Sequence, residues 1–269
     1  MSVLLHASEF PRGTSTADAA PRSQLTPIVA TLEAVRTRRG PTAVHGVAPG
    51  LVVSDPAGWT SAERFVDGSA LPAVLDAARR RWGASPAAAA ALAWKSYVYW
   101  LTLPAVVGYA AAGRVPDLSA GNVLVRVPGH APFLEIGLRR PAVAVAPGDP
   151  LAGQPHVTVT RDLPGYLRRR LVDEHLSAVL DALHGLVRIG RRTLLGSLAS
   201  GVAYGLTRSA DVLPAPVAPT ARTLLTALGV DHLVELTPEL DVQRKTCCLA
   251  FTLPEPKICT GCCLTSSAQ

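Results

Sequence analysis

Apolar spacing together with helix-start and helix-stop residues predicts a helical N-terminal region over residues 25–115, interrupted by a Gly- and Pro-rich stretch at 41–60 with possible short extended pieces. The first helix covers residues 26–39, and the second covers residues 69–82, where the apolar side chains fall on one face. The third, over residues 86–113, is the most apolar stretch of the chain and contains a single charged residue. Because tyrosines and a threonine dilute its apolar character, we expect a buried core helix, kinked or broken at Pro104, rather than a membrane span.

After residue 115 the pattern changes to short apolar stretches bounded by Gly and Pro. They predict the strands of a small antiparallel sheet, at residues 122–127, 133–137, 143–145 and 156–160. Apolar residues at helical spacing then predict a long amphipathic helix and a second helix behind it, over residues 164–190 and 191–208. The remaining elements are a proline-rich linker, a short helix and an extended segment, over residues 214–219, 220–228 and 240–253.

These elements predict an α+β fold that is mostly helical, with a small central antiparallel sheet. Residues 1–24 are rich in Ser, Thr, Ala and Pro, contain no recognisable signal-peptide core, and predict a disordered tail. The helical N-terminal region then covers residues 25–115, and the sheet with its helices covers residues 116–240. Residues 241–269 form a C-terminal segment of a different chemical character.

All five cysteines of the chain lie in this last segment, and four of them fit the pattern C-C-x10-C-x2-C: Cys247, Cys248, Cys259 and Cys262. Thiolates are soft ligands, and four of them select zinc or an iron–sulfur cluster over hard cations. The C-x-x-C turn brings two sulfurs to one metal, and its glycine permits a positive φ. Adjacent cysteines in an extended segment point to opposite faces, which suits a dinuclear [2Fe–2S] cluster better than a single zinc ion.

This C-terminal pattern resembles that of the FhuF-like ferric siderophore reductases. The stretch Arg191–Ala203, an arginine pair followed by small residues, is similar to an internal helix motif of that family. The lead-in Arg244-Lys245-Thr246 is similar to the basic residues that precede the family's cysteine pair. Residues 116–123 are similar as well, so the resemblance covers roughly residues 60–265, with the cysteine motif as its specific part.

The resemblance implies a cytoplasmic protein whose C-terminal iron–sulfur motif holds a [2Fe–2S] cluster on Cys247, Cys248, Cys259 and Cys262. It also implies that the substrate is Fe(III) bound to an imported siderophore, commonly a hydroxamate, which receives one electron. Hydroxamate oxygens hold Fe(III) far better than Fe(II), so reduction releases the iron. Arg244 and Lys245, with Lys257 on the other side, would then offset the negative charge of the cluster and raise its potential; alternatively, they are exposed charges on an edge segment.

Two positions depart from the family pattern. Cys263 follows the last ligand, where the family often has proline, and we expect it to be a spare buried thiol. Leu195-Gly196-Ser197 stands where the family usually has Trp-Gly-Asn. The small residues of this helix allow the close approach either of another helix or of a cofactor.

Charge and missing motifs restrict the other functions. The net charge of +6 comes from scattered arginine clusters without accompanying aromatic residues, which argues against nucleic-acid binding. No nucleotide-binding motif is present, so we expect electrons from an external donor, such as a ferredoxin-type protein, which a basic surface would attract. His175 and His184 lie too far apart for a metal pair on one helix, and we expect them to be surface or capping histidines.

Several alternatives remain open. A zinc-stapled binding module would use the same cysteines without redox activity. A protein of siderophore biosynthesis could share the C-terminal region, although its ATP site is missing from this sequence. Disulfide bonds are disfavoured by the odd number of cysteines.

Overall fold

The computed structural model describes residues 24–264, so the predicted tail, residues 1–24, lies outside the described residues except for Gln24. The α-helices are α1 (Thr26–Arg39), α2 (Glu63–Val66), α3 (Leu71–Trp82), α4 (Pro86–Ala112), α5 (Leu163–Leu167), α6 (Ser177–Leu186), α7 (Arg191–Thr207) and α8 (Val217–Ala227). The strands are β1 (Val47–Val52), β2 (Thr60–Ser61), β3 (Arg114–Pro116), β4 (Val123–Arg126), β5 (Glu135–Leu138), β6 (Val143–Val145), β7 (Val157–Val159), β8 (Val234–Leu236) and β9 (Val242–Arg244). A π-helical segment, Arg168–Leu176, joins α5 to α6.

The α+β class is confirmed, and the strands are divided among three small sheets. Their strand orders are β1-β5-β4-β2, β3-β6-β7 and β8-β9. The β1–β5 and β6–β7 pairs are parallel and the other pairs are antiparallel. Two of the sheets are mixed, where the sequence predicted one antiparallel sheet, because β1 joins the edge of the β4–β5 hairpin in parallel orientation and β7 pairs in parallel with β6.

Helix α4 is the central element of the core. It packs against α1, α3 and α7, and most of its side chains are buried. The helix continues through Pro104, so the predicted break is wrong, although the missing N–H removes one helical hydrogen bond. We attribute the continuity to the packing of neighbouring helices along its whole length. Among residues 24–264 no helix has both the length and the apolar character needed to cross a membrane.

The contact between α4 and α7 depends on small residues. A Cβ atom added to Gly201 would lie 3.2 Å from Oγ1 of Thr102, and one added to Gly205 would lie 2.9 Å from Cγ2 of Val106. The indole N–H of Trp94 donates a hydrogen bond of 2.8 Å to the carbonyl of Leu194, which fixes the two helices in register. Close helix packing, one of the two predicted uses of these small residues, is therefore present.

The glycine at the beginning of this series contacts a different element. A Cβ atom added to Gly196 would lie 1.8 Å from Oγ1 of Thr246, which belongs to the segment just before the cysteine pair. Thr246 is itself buried. Helix α7 therefore supports α4 with one part of its glycine series and the C-terminal segment with another.

Three predicted boundaries differ from the structure. The long helix ends at Leu186, because Val187 is extended. Part of the predicted linker is helical, since α8 begins at Val217. The predicted extended segment, residues 240–253, is a strand only over Val242–Arg244, and Ala250–Thr252 is a 3-10 turn.

His175 is fully buried, so its prediction as a surface or capping residue is wrong. Its Nδ1 lies 2.7 Å from the carbonyl of Leu118, which can only accept, so Nδ1 carries the proton. Nε2 therefore accepts the hydroxyl hydrogen of Tyr97, at 2.5 Å. Burial lowers the pKa of His175 to about 4 and keeps the ring neutral. His184 has the expected capping position, with Nδ1 2.8 Å from the carbonyl of Ile189.

This buried histidine makes stability depend on pH. Its folded-state pKa of about 4 lies below the ordinary 6.5, so between these values the unfolded chain binds a proton that the folded chain does not. The free energy of unfolding should therefore fall as the pH drops from 6.5 to 4, by up to about 3 kcal/mol. Denaturant titrations at several pH values would measure this fall. His175→Gln should flatten the dependence and His130→Gln, at an exposed position, should retain it; identical slopes would refute the assignment.

The Gly196 contact predicts opposite effects for two glycine substitutions in helices. Gly196→Ala places a methyl group against Thr246 and should destabilise the protein by about 1–3 kcal/mol. Gly185→Ala is the matched control, because nothing lies within 4 Å of its added Cβ, and it should stabilise by about 0.4–1 kcal/mol. Thermal or denaturant unfolding of both variants would measure this. Equal effects at the two positions would rule out the proposed close contact.

Candidate metal centre

The cysteine segment follows β9 and folds back on itself. The chain bends after Arg244, passes through Cys247 and Cys248, makes the turn at residues 250–252, and returns to Cys259. Two backbone hydrogen bonds hold the halves together: Lys257 N–H donates to the carbonyl of Ala250 at 3.0 Å, and Arg244 N–H donates to that of Gly261 at 2.9 Å. The two parts of the cysteine pattern, though separated in sequence, therefore lie side by side.

The C-x-x-C turn has the predicted glycine geometry. Gly261 has a φ of 70°, and a Cβ atom at this position would lie 1.8 Å from the carbonyl oxygen of Val242. The N–H of Cys262 donates to the carbonyl of Cys259 at 3.1 Å and closes the turn. Glycine is required here both for the positive φ and for the close approach to β9.

The adjacent cysteines do not lie in a strand, so the argument that their side chains point to opposite faces of one does not apply. Leu249, immediately after them, has a φ of 61°, in the left-handed region that residues other than glycine rarely adopt. Its N–H lies 3.3 Å from the sulfur of Cys247 and donates to it. Apolar periodicity does not record a single left-handed residue, so it could not predict this conformation.

Cys248 and Cys259 form the closest pair of thiols, with 3.6 Å between their sulfur atoms. Their hydrogen bond lowers the pKa of Cys248 to about 5 and raises that of Cys259, because the two sulfurs share one proton. The Lys95 ammonium lies 3.6 Å from the sulfur of Cys259, and its positive charge lowers the pKa of both thiols. This geometry favours a thiolate at the pair.

The other three cysteines lie near one another. Burial raises the pKa of Cys263, and the negative charges of Cys247 and Cys262 raise it further. Cys263, predicted to be a spare buried thiol, is half-buried next to two of the predicted ligands. All five cysteines are unbridged. Within residues 24–264, no three His, Cys, Asp or Glu side chains are grouped closely enough to hold a metal ion.

The buried guanidinium of Arg244 is the strongest electrostatic feature beside the cysteines. Its side chain is 3% exposed, and Nε, Nη1 and Nη2 have no hydrogen-bond partner among the described residues. A buried charge without a partner costs several kcal/mol, so such groups are normally paired. The charge of Arg244 also lowers the pKa of Cys248 and Cys259, which places it beside the thiols. An anionic centre held by thiolates would satisfy this arginine, and the residues therefore fit the implied cluster.

The other predicted charges lie differently. Lys245 is directed towards the surface, where its ammonium pairs with Glu235 at 3.4 Å. Lys257 is exposed.

Sequence reasoning missed Lys95, although one signal was available: it is the single charged residue in the whole length of α4. A lone lysine in an otherwise apolar buried helix indicates a partner supplied by another part of the chain.

A cleft of about 690 Å³ opens beside Cys259, between α4, α7 and the cysteine segment. Three cationic residues line it: Lys95, Arg208 and Lys257. Four aromatic residues line it as well: Trp82, Tyr99, Trp100 and Tyr204. Its size is in the range of small-molecule binding sites, and one of its walls is part of the cysteine segment.

Tyr204 connects the cleft to the C-x-x-C turn. Its hydroxyl donates a hydrogen bond of 2.7 Å to the carbonyl of Thr260, which lies between Cys259 and Cys262. Burial raises the pKa of this tyrosine and keeps the donor protonated. The position of the turn is therefore fixed from α7, through a side chain that also lines the cleft.

No family model matches the sequence, and no curated protein is significantly similar to it. Functional inference for this chain therefore depends on the cysteine segment, its buried charges and the neighbouring cleft.

Proposed function

We propose that this protein is a ferric siderophore reductase that holds a [2Fe–2S] cluster on Cys247, Cys248, Cys259 and Cys262. The buried, unpartnered guanidinium of Arg244 beside clustered thiols supports an anionic metal centre, and the cleft that opens at Cys259 is the observation that favours a reductase. When bound, such a cluster supplies a one-electron carrier with a net negative charge. The FhuF-like resemblance of the cysteine pattern supplies the substrate class, Fe(III) bound by a siderophore.

The protein residues have separable roles in this proposal. Cys248 and Cys259, on opposite halves of the folded segment, are the pair already drawn together, and Cys247 and Cys262 complete the ligand set. Arg244 stabilises the additional negative charge that accompanies reduction, and Lys95 does the same from the side of Cys259. Since Lys245 pairs with Glu235 at the surface, we assign it a smaller part in tuning than Arg244.

The cleft beside Cys259 favours a reductase over a purely structural metal site. A zinc-stapled binding module needs no cavity next to its thiolates, and a structural site is normally closed. Here the wall of a cleft of about 690 Å³ includes Cys259 itself, so a bound ferric complex would lie next to a cluster ligand. The siderophore-biosynthesis alternative requires a nucleotide site, for which no sequence motif is present.

An external protein supplies the electrons in this scheme, and a ferredoxin-type donor is the class that we propose. The net charge of +6 favours association with an acidic protein. Phe251, Ile258 and Leu264 are exposed apolar side chains on the cysteine segment, where they can contact such a donor. A cytoplasmic location, which provides both reduced thiols and this class of donor, is part of the same proposal.

The cofactor is tested by spectroscopy on protein purified without air. Visible absorption and EPR spectra, with iron, sulfide and zinc assays on one sample, should show about two irons and two sulfides and an EPR signal only after reduction. A reduced sample mixed with a ferric siderophore should become reoxidised while Fe(II) appears in a chelator assay. A colourless protein with one zinc ion per chain would eliminate the reductase and support the zinc-stapled module.

The ligand assignment predicts a difference among the five cysteines. Serine at any one of Cys247, Cys248, Cys259 or Cys262 should abolish or alter the absorption and EPR spectra, because a thiolate ligand is removed. Cys263→Ser is the matched control and should leave the spectra unchanged. Loss of the cluster in the Cys263 variant would show that the fourth ligand has been assigned to the wrong thiol.

Arg244 should raise the reduction potential of the cluster. Arg244→Gln removes a buried positive charge, so the reduced state loses stabilisation and the midpoint potential should fall by tens of millivolts. Lys245 is the next residue in the chain, but its charge is paired with Glu235 at the surface. Lys245→Gln should therefore change the midpoint potential clearly less. Redox titration followed by EPR would measure both. Equal shifts, or an unchanged potential in the Arg244 variant, would contradict this role.

A further inference from the structure

We infer that the cleft selects ferric chelates of net negative charge, such as those with a free carboxylate, over neutral or cationic ones. This inference rests on the proposed function for the identity of the metal, but the charge selection is argued from the cleft alone. It narrows the substrate class, because an Fe(III) ion bound by three hydroxamates forms a neutral core. The residues that we assign to this selection are Arg208 and Lys257.

Positively charged side chains line the cleft, and no ion pair among residues 24–264 neutralises them. Lys95, Arg208 and Lys257 line it, and no acidic residue is among the described side chains of its wall. None of the three cations makes an ion pair with a carboxylate in the part of the chain that the structure describes. In a concave site with poorly polarisable walls, like charges reinforce one another and raise the local concentration of anions.

The positions of the few lysines also indicate a concentration of positive charge at the cleft. The chain contains three lysines against many arginines. Lys95 and Lys257 line the cleft, whereas Lys245 lies on the cysteine segment and pairs with Glu235. Lys95 is directed towards the sulfur of Cys259, at 3.6 Å, so its charge is partly used by the thiols. Lys257 and Arg208 remain to interact with a ligand in the cleft.

Arg208 is held in position by aromatic rings rather than by an acid. Its guanidinium carbon lies 5.2 Å from the ring centroid of Tyr204 and 5.6 Å from that of Tyr99. Nη1 also donates a hydrogen bond of 3.4 Å to the hydroxyl of Tyr99. These contacts orient the guanidinium and leave its charge uncompensated, which is the arrangement that recognises a carboxylate.

The aromatic walls explain why the ligand is a bulky chelate and not a small inorganic anion. Trp82, Trp100, Tyr99 and Tyr204 give the cleft flat apolar surfaces around the cations. A chelate with hydrocarbon arms around its metal can bury those arms against the rings and direct a carboxylate to Arg208 or Lys257. The combination therefore fits an amphipathic, anionic ligand of drug-like size.

The experiment uses three gallium(III) complexes that share one trihydroxamate core and differ in the charge of a single tail. The first is the complex of desferrioxamine B, whose tail is a cationic amine. The second is the complex of its N-acetyl derivative, whose tail is neutral. The third is the complex of its N-succinyl derivative, whose tail carries a carboxylate. Gallium(III) matches ferric iron in charge and size but is not reduced, so calorimetry on the metal-loaded full chain measures binding alone. We expect the succinyl complex to bind best and the amine worst, at least about tenfold apart at low salt.

Two substitutions assign the selection to residues. Arg208→Gln and Lys257→Gln should each weaken binding of the succinyl complex by about tenfold, while Arg208→Lys keeps most of the affinity. Arg222→Gln, an exposed arginine on α8 away from the cleft, is the matched control and should change nothing. Lys257 lies on an exposed segment, so its substitution tests the inference even if an Arg208 variant folds poorly.

The outcomes separate this inference from the proposed function. Equal affinity for the three complexes, a preference for the amine, or no binding at all would overturn the charge selection. Reoxidation of the reduced protein by the matching ferric complexes is measured separately. Charge-selective gallium binding without any iron reduction would preserve the selective cleft and eliminate the reductase.

Discussion

The close contact of α7 with two partners is the constraint on which the candidate site depends. Gly201 and Gly205 seat this helix against α4, and Gly196 admits Thr246 of the C-terminal segment. A larger residue at any of these positions would push one partner away from the helix. The hydroxyl of Tyr204, on the same helix, then fixes the C-x-x-C turn through Thr260. Helix α7 thus holds the cysteine segment, which has little regular structure of its own, in a fixed position against the core.

The two positive charges beside the thiols exceed the single negative charge that the Cys248–Cys259 pair supplies. Arg244 is buried without a hydrogen-bond partner among the described residues, and the ammonium of Lys95 is directed towards Cys259. One thiolate at that pair compensates one of the two positive charges, whereas the proposed centre held by four thiolates would carry more negative charge. Both zinc and [2Fe–2S] centres satisfy this demand, so charge alone does not choose between them. The open cleft is the feature that distinguishes them, because a ligand bound in it would lie next to Cys259, which a structural zinc site does not require.

Much of the helical framework was predictable, and most of the tertiary pairing was not. An apolar face located α3, and helix-start and helix-stop residues located α1 and α4 within a few residues, because both signals are local in the sequence. The pairing of β1 with β5 depends on strands far apart in the sequence, which a local pattern does not record. For the site, cysteine spacing identified the thiols and the turn at Gly261, whereas Lys95 lies 164 positions from Cys259 and only the fold brings them together. His175 illustrates the same limit, since its burial depends on Leu118 and Tyr97.

The positive charges around Cys259 belong to two sets of residues, one beside the thiols and one in the cleft. Arg244 lies beside the thiols and away from the cleft wall, while Arg208 and Lys257 line the cleft. In the proposed reductase, the reduction potential and the ligand selection would therefore depend on different residues, so the charge of the cleft could change without altering the electron carrier. Lys95 is the exception, because it lines the cleft and also contacts Cys259. In the proposed reductase, a substitution of Lys95 would change both properties together, because the same ammonium would act on the bound ligand and on a cluster ligand.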